Sequence, residues 1–93
     1  MPSAKILGVE IPRQYLEYVI AGIGGGIQIS GLIPPAHPMA NTLKNLLDKK
    51  GDFVEFECRD SRETYIGGIA EIKDVHLKDE PAGLRYRIFL QKQ

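Results

Sequence analysis

The sequence predicts an α+β domain: a small, mostly antiparallel β-barrel or sandwich with one helix, in the order β-β-β-α-β-β-β. Three observations predict it. Runs of alternating apolar and polar residues, the period of a half-buried strand, occupy both ends of the chain. Glycine- and proline-rich breaks separate these runs. MANTLKNLLDKK, Met39–Lys50, is the one clear helix, with apolar residues at helical spacing. A single small sheet covered by a lone helix is the architecture that buries both kinds of face.

The first strand is KILGVEI, Lys5–Ile11, with Leu7, Val9 and Ile11 on one face and Pro12 ending it. The next is QYLEYVIA, Gln14–Ala21, whose aromatic and β-branched residues favour a strand, although Leu16, Val19 and Ile20 also fit a helical turn. The glycine cluster Gly22–Gly26 follows, and then IQISGLI, where Ile27, Ile29 and Ile33 alternate with Gln28, Ser30 and Leu32. A phosphate-binding loop needs a helix after the glycines and a Lys-Ser or Lys-Thr at its end. This loop has neither, so it reads as a hairpin bend in which glycine supplies positive φ. Such a loop is a candidate for ordering on a partner.

Pro34, Pro35 and Pro38 break the chain before the helix. Met39, Leu43, Leu46 and Leu47 share its apolar stripe, and Lys44, Asn45, Asp48 and Lys49 face away. Pro38 suits the first turn and Gly51 the C′ position. Lys49 and Lys50 complement the negative end of the helix dipole.

The last forty residues read as a meander. In DFVEFECRD, Val54, Phe56 and Cys58 lie on one face and Glu55 and Glu57 on the other, and Asp60 and Ser61 make a tight turn. ETYIGGIAEIKDVHL is a long strand region with a bulge or bend expected at Gly67-Gly68. Lys78–Gly83 is a turn. LRYRIFLQK puts Leu84, Tyr86, Ile88 and Leu90 on one face and Arg85, Arg87 and Gln91 on the other.

The 93 residues fit one domain, 1–93. A chain of this size buries only about 60–65% of its unfolded surface, so partners add to its stability. Twelve basic residues balance twelve acidic ones. The zero net charge argues against a dominant nucleic-acid-binding role, which requires a clustered cationic face. One cysteine excludes an intramolecular disulfide. The longest apolar run falls well short of the ~20 residues of a membrane span. MPSAKILGVEIPRQ lacks the long apolar stretch of a signal peptide. The expectation is an intracellular product with no membrane partner.

Candidates for chemistry are sparse. Cys58 alternates with Val54 and Phe56 and reads as a small buried apolar residue. His37 lies in the proline-rich loop and His76 beside Asp74, with no spacing that marks a metal site or a Cys/His pair. Glu55, Glu57, Asp60 and Glu63 read as a solvated strand face and turn. The sequence therefore predicts no enzyme activity, no cofactor and no metal. Its anomaly is apolar residues at polar positions: Leu32, Phe53 and Phe89. Either the helix or a second sheet covers them, or neighbouring subunits do. Arg85, Arg87 and Lys92 are solvated or pair with acidic groups across an interface. The candidate interface residues are thus Leu32, Phe53, Phe89, Arg85 and Arg87.

The segment running from GIQISGLIPP through TLKNLLDKKGDFVEF and YIGGIAEIKD to RYRIFLQK resembles the U-type tail protein of contractile-tailed bacteriophages. The shared features fall at Ile27–Gly31, Pro34–Pro35, Leu43–Leu47, Tyr65–Gly68 and Leu84–Lys92, about three quarters of the chain. The resemblance implies a structural component of a phage tail or related contractile injection apparatus. It would lie near the baseplate or tube, be made in the host cytoplasm and reside in the virion. It would form homo-oligomeric rings and dock with other tail and baseplate proteins. A second stretch, TLKNLLDKKGDFVEFECRDSRETYIGGIAEIKDVHL, is similar to the first motif of Sm-like RNA-binding proteins. In place of that family's base-binding Asp-x-x-Asn-like stretch it has Lys73-Asp74-Val75-His76, and LRYRIFLQK lacks the family's Arg-Gly pair.

Overall fold

A computed structural model describes residues 1–93. Seven strands form one antiparallel sheet: β1 (Ser3–Ile6), β2 (Val9–Ile11), β3 (Leu16–Ala21), β4 (Gly26–Ile33), β5 (Phe53–Arg59), β6 (Tyr65–Glu80) and β7 (Gly83–Lys92). One helix, α1 (Met39–Leu46), lies between β4 and β5 and continues as a 3-10 turn, Leu47–Lys49. The spatial order is β2-β1-β5-β6-β7-β4-β3. The margins β2 and β3 do not pair, so the sheet is open and does not close into a barrel.

The two margins differ. β2 is three residues long, and so short an edge offers little template for another strand. β3 is tied back to the rest of the sheet by Ser61, in the β5–β6 turn. Its backbone N–H donates to the Val19 carbonyl at 3.0 Å and its hydroxyl to the same oxygen at 3.1 Å. That turn is built by Asp60, whose carboxylate accepts the N–H groups of Arg62 and Thr64 at 2.9 Å each. A buried carboxylate is tolerated there because its oxygen is hydrogen-bonded.

The expected single strand Lys5–Ile11 is instead the β1–β2 hairpin. Leu7 and Gly8 both take positive φ, 55° and 77°, and two such residues in sequence make the turn whose twist matches a hairpin. Of Leu7, Val9 and Ile11, only Ile11 is buried. In the second run, Gln14 and Tyr15 belong to a 3-10 turn and the strand begins at Leu16. The glycine cluster is a bend between β3 and β4, as expected, with Gly24 and Gly25 near φ 88–89°. It is well tethered. The Gly22 N–H donates to Gly26 O at 2.8 Å, the Lys92 N–H to Gly25 O at 2.8 Å, and the Gln91 amide to Gly24 O at 2.5 Å.

Leu43 and Leu46 anchor α1 in the core, with Met39 and Ala40 packed against it. Leu47 does not share this face and is exposed, because tightening to about three residues per turn carries it off the stripe. The His37 ring nitrogen Nδ1 accepts the Met39 N–H at 3.0 Å and so satisfies one of the orphan donors at the helix start. Gly51 has φ 88°, as a C′ residue does, and its N–H donates to Ile72 O at 2.8 Å.

β5 alternates as read: Val54, Phe56 and Cys58 are buried. Gly67 and Gly68 are not a bulge. They pair in register with Glu57 and Phe56, and the irregularity lies instead between Ile72 and Asp74, opposite β7. A Cβ at Gly67 would meet the Tyr65 hydroxyl at 2.7 Å, a contact that the exposed Tyr65 ring can relieve by turning away. β6 also runs through Lys78–Glu80, leaving only Pro81 and Ala82 as the turn. β7 buries Leu84, Tyr86, Ile88 and Leu90.

Tyr86 locks the sheet to the chain before β3. It is fully buried, and its hydroxyl donates to the Tyr15 carbonyl at 2.8 Å. Burial, with Glu17 nearby, pushes this hydroxyl's pKa above its ordinary value. The contact requires Gly31 on β4, where a Cβ would overlap the Tyr15 carbonyl oxygen and the Tyr86 hydroxyl.

Candidate functional site

The groups that carry chemistry are dispersed. Cys58 faces the core opposite Ala4 of β1. Burial raises its thiol from 9.0 to about 11, and Asp60 adds to the shift, so it remains a thiol rather than a nucleophilic thiolate near neutrality. His37 caps the helix and meets the Tyr15 ring edge-on at 5.0 Å. His76 lies on the outer face of β6, its Nε2 2.8 Å from Asp74 and its ring 5.3 Å from that of Phe89. Asp74 also accepts the Lys50 ammonium at 2.8 Å and the Val75 N–H at 2.9 Å. Lys50 and His76, in that order, hold its carboxyl down at about 2. No three histidine, cysteine or carboxylate side chains converge. No helix is long and apolar enough to cross a membrane.

What the fold does organise is its outer surface. Pairing β5 with the first half of β6 sets Phe53 opposite Glu71, Glu55 opposite Ile69, Glu57 opposite Gly67 and Arg59 opposite Tyr65. Ile66, Ala70 and Ile72 point toward the core, so Tyr65 and Ile69 must point out. Phe53 is 59% exposed, Tyr65 58% and Ile69 43%. Glu55 makes no ion pair, and Glu57 receives only a long hydrogen bond, 3.4 Å, from the Tyr65 hydroxyl. Gly8 and Gly68 carry no side chain into the space beside these carboxylates, leaving a shallow depression of about 320 Å³ bordered by Glu55, Glu57 and Ile69.

The second half of β6, with β7, β4 and β3, presents a different surface. Rows across it read Ile20, Gln28, Phe89, Asp74 and then Tyr18, Ser30, Arg87, His76. Gln28 donates its amide to the Tyr18 hydroxyl at 2.9 Å. Arg85 is engaged within the chain, by Glu17 at 2.6 Å and Glu80 at 2.9 Å. Glu80, then Glu17, raise its already high pKa. Arg87 and Lys78 are exposed and form no ion pair.

Two further apolar features stand apart. Ile23 is fully exposed at the tip of the β3–β4 hairpin. A groove of about 160 Å³ between α1 and the β1–β2 hairpin is lined by Leu7, Val9, Ile11, Met39 and Leu46 among others.

The five residues singled out from the sequence therefore do not form one patch. Phe53 lies on the β5 face. Leu32, Phe89, Arg85 and Arg87 lie on β4 and β7, with Leu32 and Phe89 half-buried and only Arg87 fully open. Tyr65, Ile69, Leu7, Val9 and Ile23 were not singled out. The signal for Tyr65 and Ile69 is present in TYIGGIAEI: once Ala70 and Ile72 are placed inside, the alternation puts residues 65 and 69 outside. No family model, curated protein or solved structure matches the chain.

Proposed function

We propose that this protein is a self-assembling structural subunit of a phage tail or related contractile injection apparatus, placed near the baseplate or tube and acting through ring-forming contacts. The observation that carries this reading is the separation of its exposed apolar side chains among distinct surfaces. Phe53, Tyr65 and Ile69 share the β5–β6 face, Leu7 and Val9 border the helix groove, and Ile23 tips a tethered hairpin. A protein with a single partner needs one such patch. A subunit of a ring or tube needs at least two different ones, because head-to-tail contacts join unlike surfaces. The resemblance to U-type tail proteins supports the same reading. An RNA-binding role is not adopted, because no clustered cationic face accompanies the exposed aromatics Phe53 and Tyr65: Lys5 and Arg59 there are interleaved with Glu55, Glu57 and Glu71.

Sedimentation velocity at rising protein concentration, with electron microscopy of the same samples, tests the reading. Discrete assemblies larger than a dimer are expected, alone or on mixing with other tail and baseplate proteins. A monomer that persists at every concentration and in every mixture overturns it.

A further inference from the structure

We infer that the outer face of β5 and the first half of β6 receives, from a second copy of this chain, the outer face of β7 and the second half of β6. Arg87 of one copy then lies against Glu55 and Glu57 of the next. The inference rests on the self-assembly reading and adds to it which two surfaces meet.

Charge is the first argument. Glu55 has no ion-pair partner in its own chain, and Glu57 has only the long Tyr65 contact. Lys5 stands opposite Glu57 in β5, but it also stands opposite Glu10 in β2, so one cation is shared by two carboxylates. Arg59 on the same face turns to the Glu63 carbonyl at 3.4 Å, and Lys73 pairs with Glu71, so Glu55 and Glu57 are the carboxylates left without an ion pair. On the other face, Glu17 and Glu80 are taken by Arg85, and Asp74 by Lys50 with His76 beside it. Arg87 and Lys78 remain free, as exposed cations on neighbouring strands.

Shape and apolar content agree with the charges. The receiving face exposes Phe53, Tyr65 and Ile69 and holds a depression lined by Lys5, Gly8, Glu55, Glu57, Gly68 and Ile69. The entering face has Phe89 and Ile20 beside the row that bears Arg87. A guanidinium seated on carboxylates within an apolar rim is more strongly held than one in open water.

The covalent layout adds a third argument. Both faces are carried by one strand: Tyr65–Glu71 of β6 pairs with β5 and Ala70–Glu80 with β7, the two ladders overlapping at Ala70 and Glu71 and the β7 ladder shifting register at Lys73. The angle between a subunit's two contacts is therefore set inside a single continuous element. Unlike faces joined head to tail at a fixed angle close into a ring or run on as a helix.

Charge reversal tests this directly. Glu55→Lys with Glu57→Lys gives a chain with two basic faces, and Lys78→Glu with Arg87→Glu gives one with two acidic faces. All four positions are exposed, and unchanged thermal midpoints by circular dichroism establish that both variants are folded. Each variant alone is expected to need at least tenfold more protein than wild type to assemble in sedimentation velocity, and an equimolar mixture is expected to recover the wild-type concentration dependence. If wild type assembles and either variant does so equally well, or if both fail and the mixture does not recover, this pairing of faces is wrong and the self-assembly reading stands. If wild type stays monomeric in every condition, both fall together.

Discussion

On β7, Arg85 is held by Glu17 and Glu80, and Tyr86 is latched to the Tyr15 carbonyl 71 positions earlier in the chain. On β5, at the other side of β6, Glu55 has no ion-pair partner, Glu57 has one long contact, and Phe53 stands in solvent. The two regions share a strand and a core. The β7 region uses its polar groups to join distant parts of its own chain, which fixes the fold. The β5 region satisfies its inner face equally well and leaves its outer face without partners. Substitutions should therefore separate: those around β7 change stability, and those on the outside of β5 change association.

Gly31→Ala carries the largest expected loss of stability. The added Cβ would overlap the Tyr15 carbonyl oxygen and the Tyr86 hydroxyl, and neither can retreat, since Tyr86 is fully buried and the two are each other's partners. Overpacking typically costs ~1–3 kcal/mol, and here the obstacle includes backbone, so a loss of about 3 kcal/mol or more is expected in denaturant unfolding. A loss under about 1 kcal/mol would mean that the β7 latch is soft and the contrast between the two regions is mistaken.

The inner face of β5 is tested by alkali. The Cys58 thiol titrates near 11 in the fold against 9.0 for an unperturbed group. Between those values the folded chain holds a proton that the unfolded chain has lost, so stability falls as pH rises from about 9 toward 11. A two-unit shift corresponds to roughly 2–3 kcal/mol. Unfolding curves at pH 8 and pH 11 should show at least that loss in wild type, since the raised Tyr86 hydroxyl adds to it, and Cys58→Ala should shrink the difference between the two pH values by the thiol's share. An identical alkaline loss in the variant would mean that the β5 inner face admits water.

Tyr86→Phe is a smaller change at the same latch. It keeps the ring and removes the hydroxyl that donates to Tyr15 O, leaving a carbonyl with one fewer partner. A cost of about 1–2 kcal/mol is expected, with no change in the concentration dependence of assembly. An association defect in this variant would couple the two regions and blur the comparison.

These regions were unequally legible in the sequence. β7 could be read completely, because Leu84, Tyr86, Ile88 and Leu90 alternate without interruption and one face is buried along its whole length. The helix and its Gly51 terminus were plain apart from Leu47, which the closing 3-10 turn carries off the apolar stripe. The β1–β2 hairpin was not, because Leu7 occupies a positive-φ position that its side chain gives no reason to expect. The latch was invisible as well: Gly31 and Tyr86 lie 55 positions apart, and only the register of β4 on β7 sets them opposite one another. Of the candidate interface, Phe53 could be read from its place among polar positions. Ile69 could be read from its alternation with Ala70 and Ile72, whereas a bulge or bend expected at Gly67-Gly68 interrupts that phase before Tyr65.

The smallest expected change in stability sharpens the comparison most. Phe53→Ser removes an exposed ring from β5, and a surface change of this kind alters stability by no more than about 0.5 kcal/mol. Its effect on assembly should be much larger, because an exposed aromatic side chain buried in a contact is the type of residue that dominates binding. Unfolding midpoints and sedimentation profiles measured on the same samples give both quantities. A normal midpoint with assembly shifted to at least tenfold higher concentration is the expected result. If the midpoint drops by more than about 1 kcal/mol instead, Phe53 supports the fold from outside, and the outer side of β5 belongs with β7 as part of the framework. If neither quantity moves, the ring at position 53 is an isolated exposed side chain of the ordinary kind, and Tyr65 and Ile69 would have to carry the contact without it.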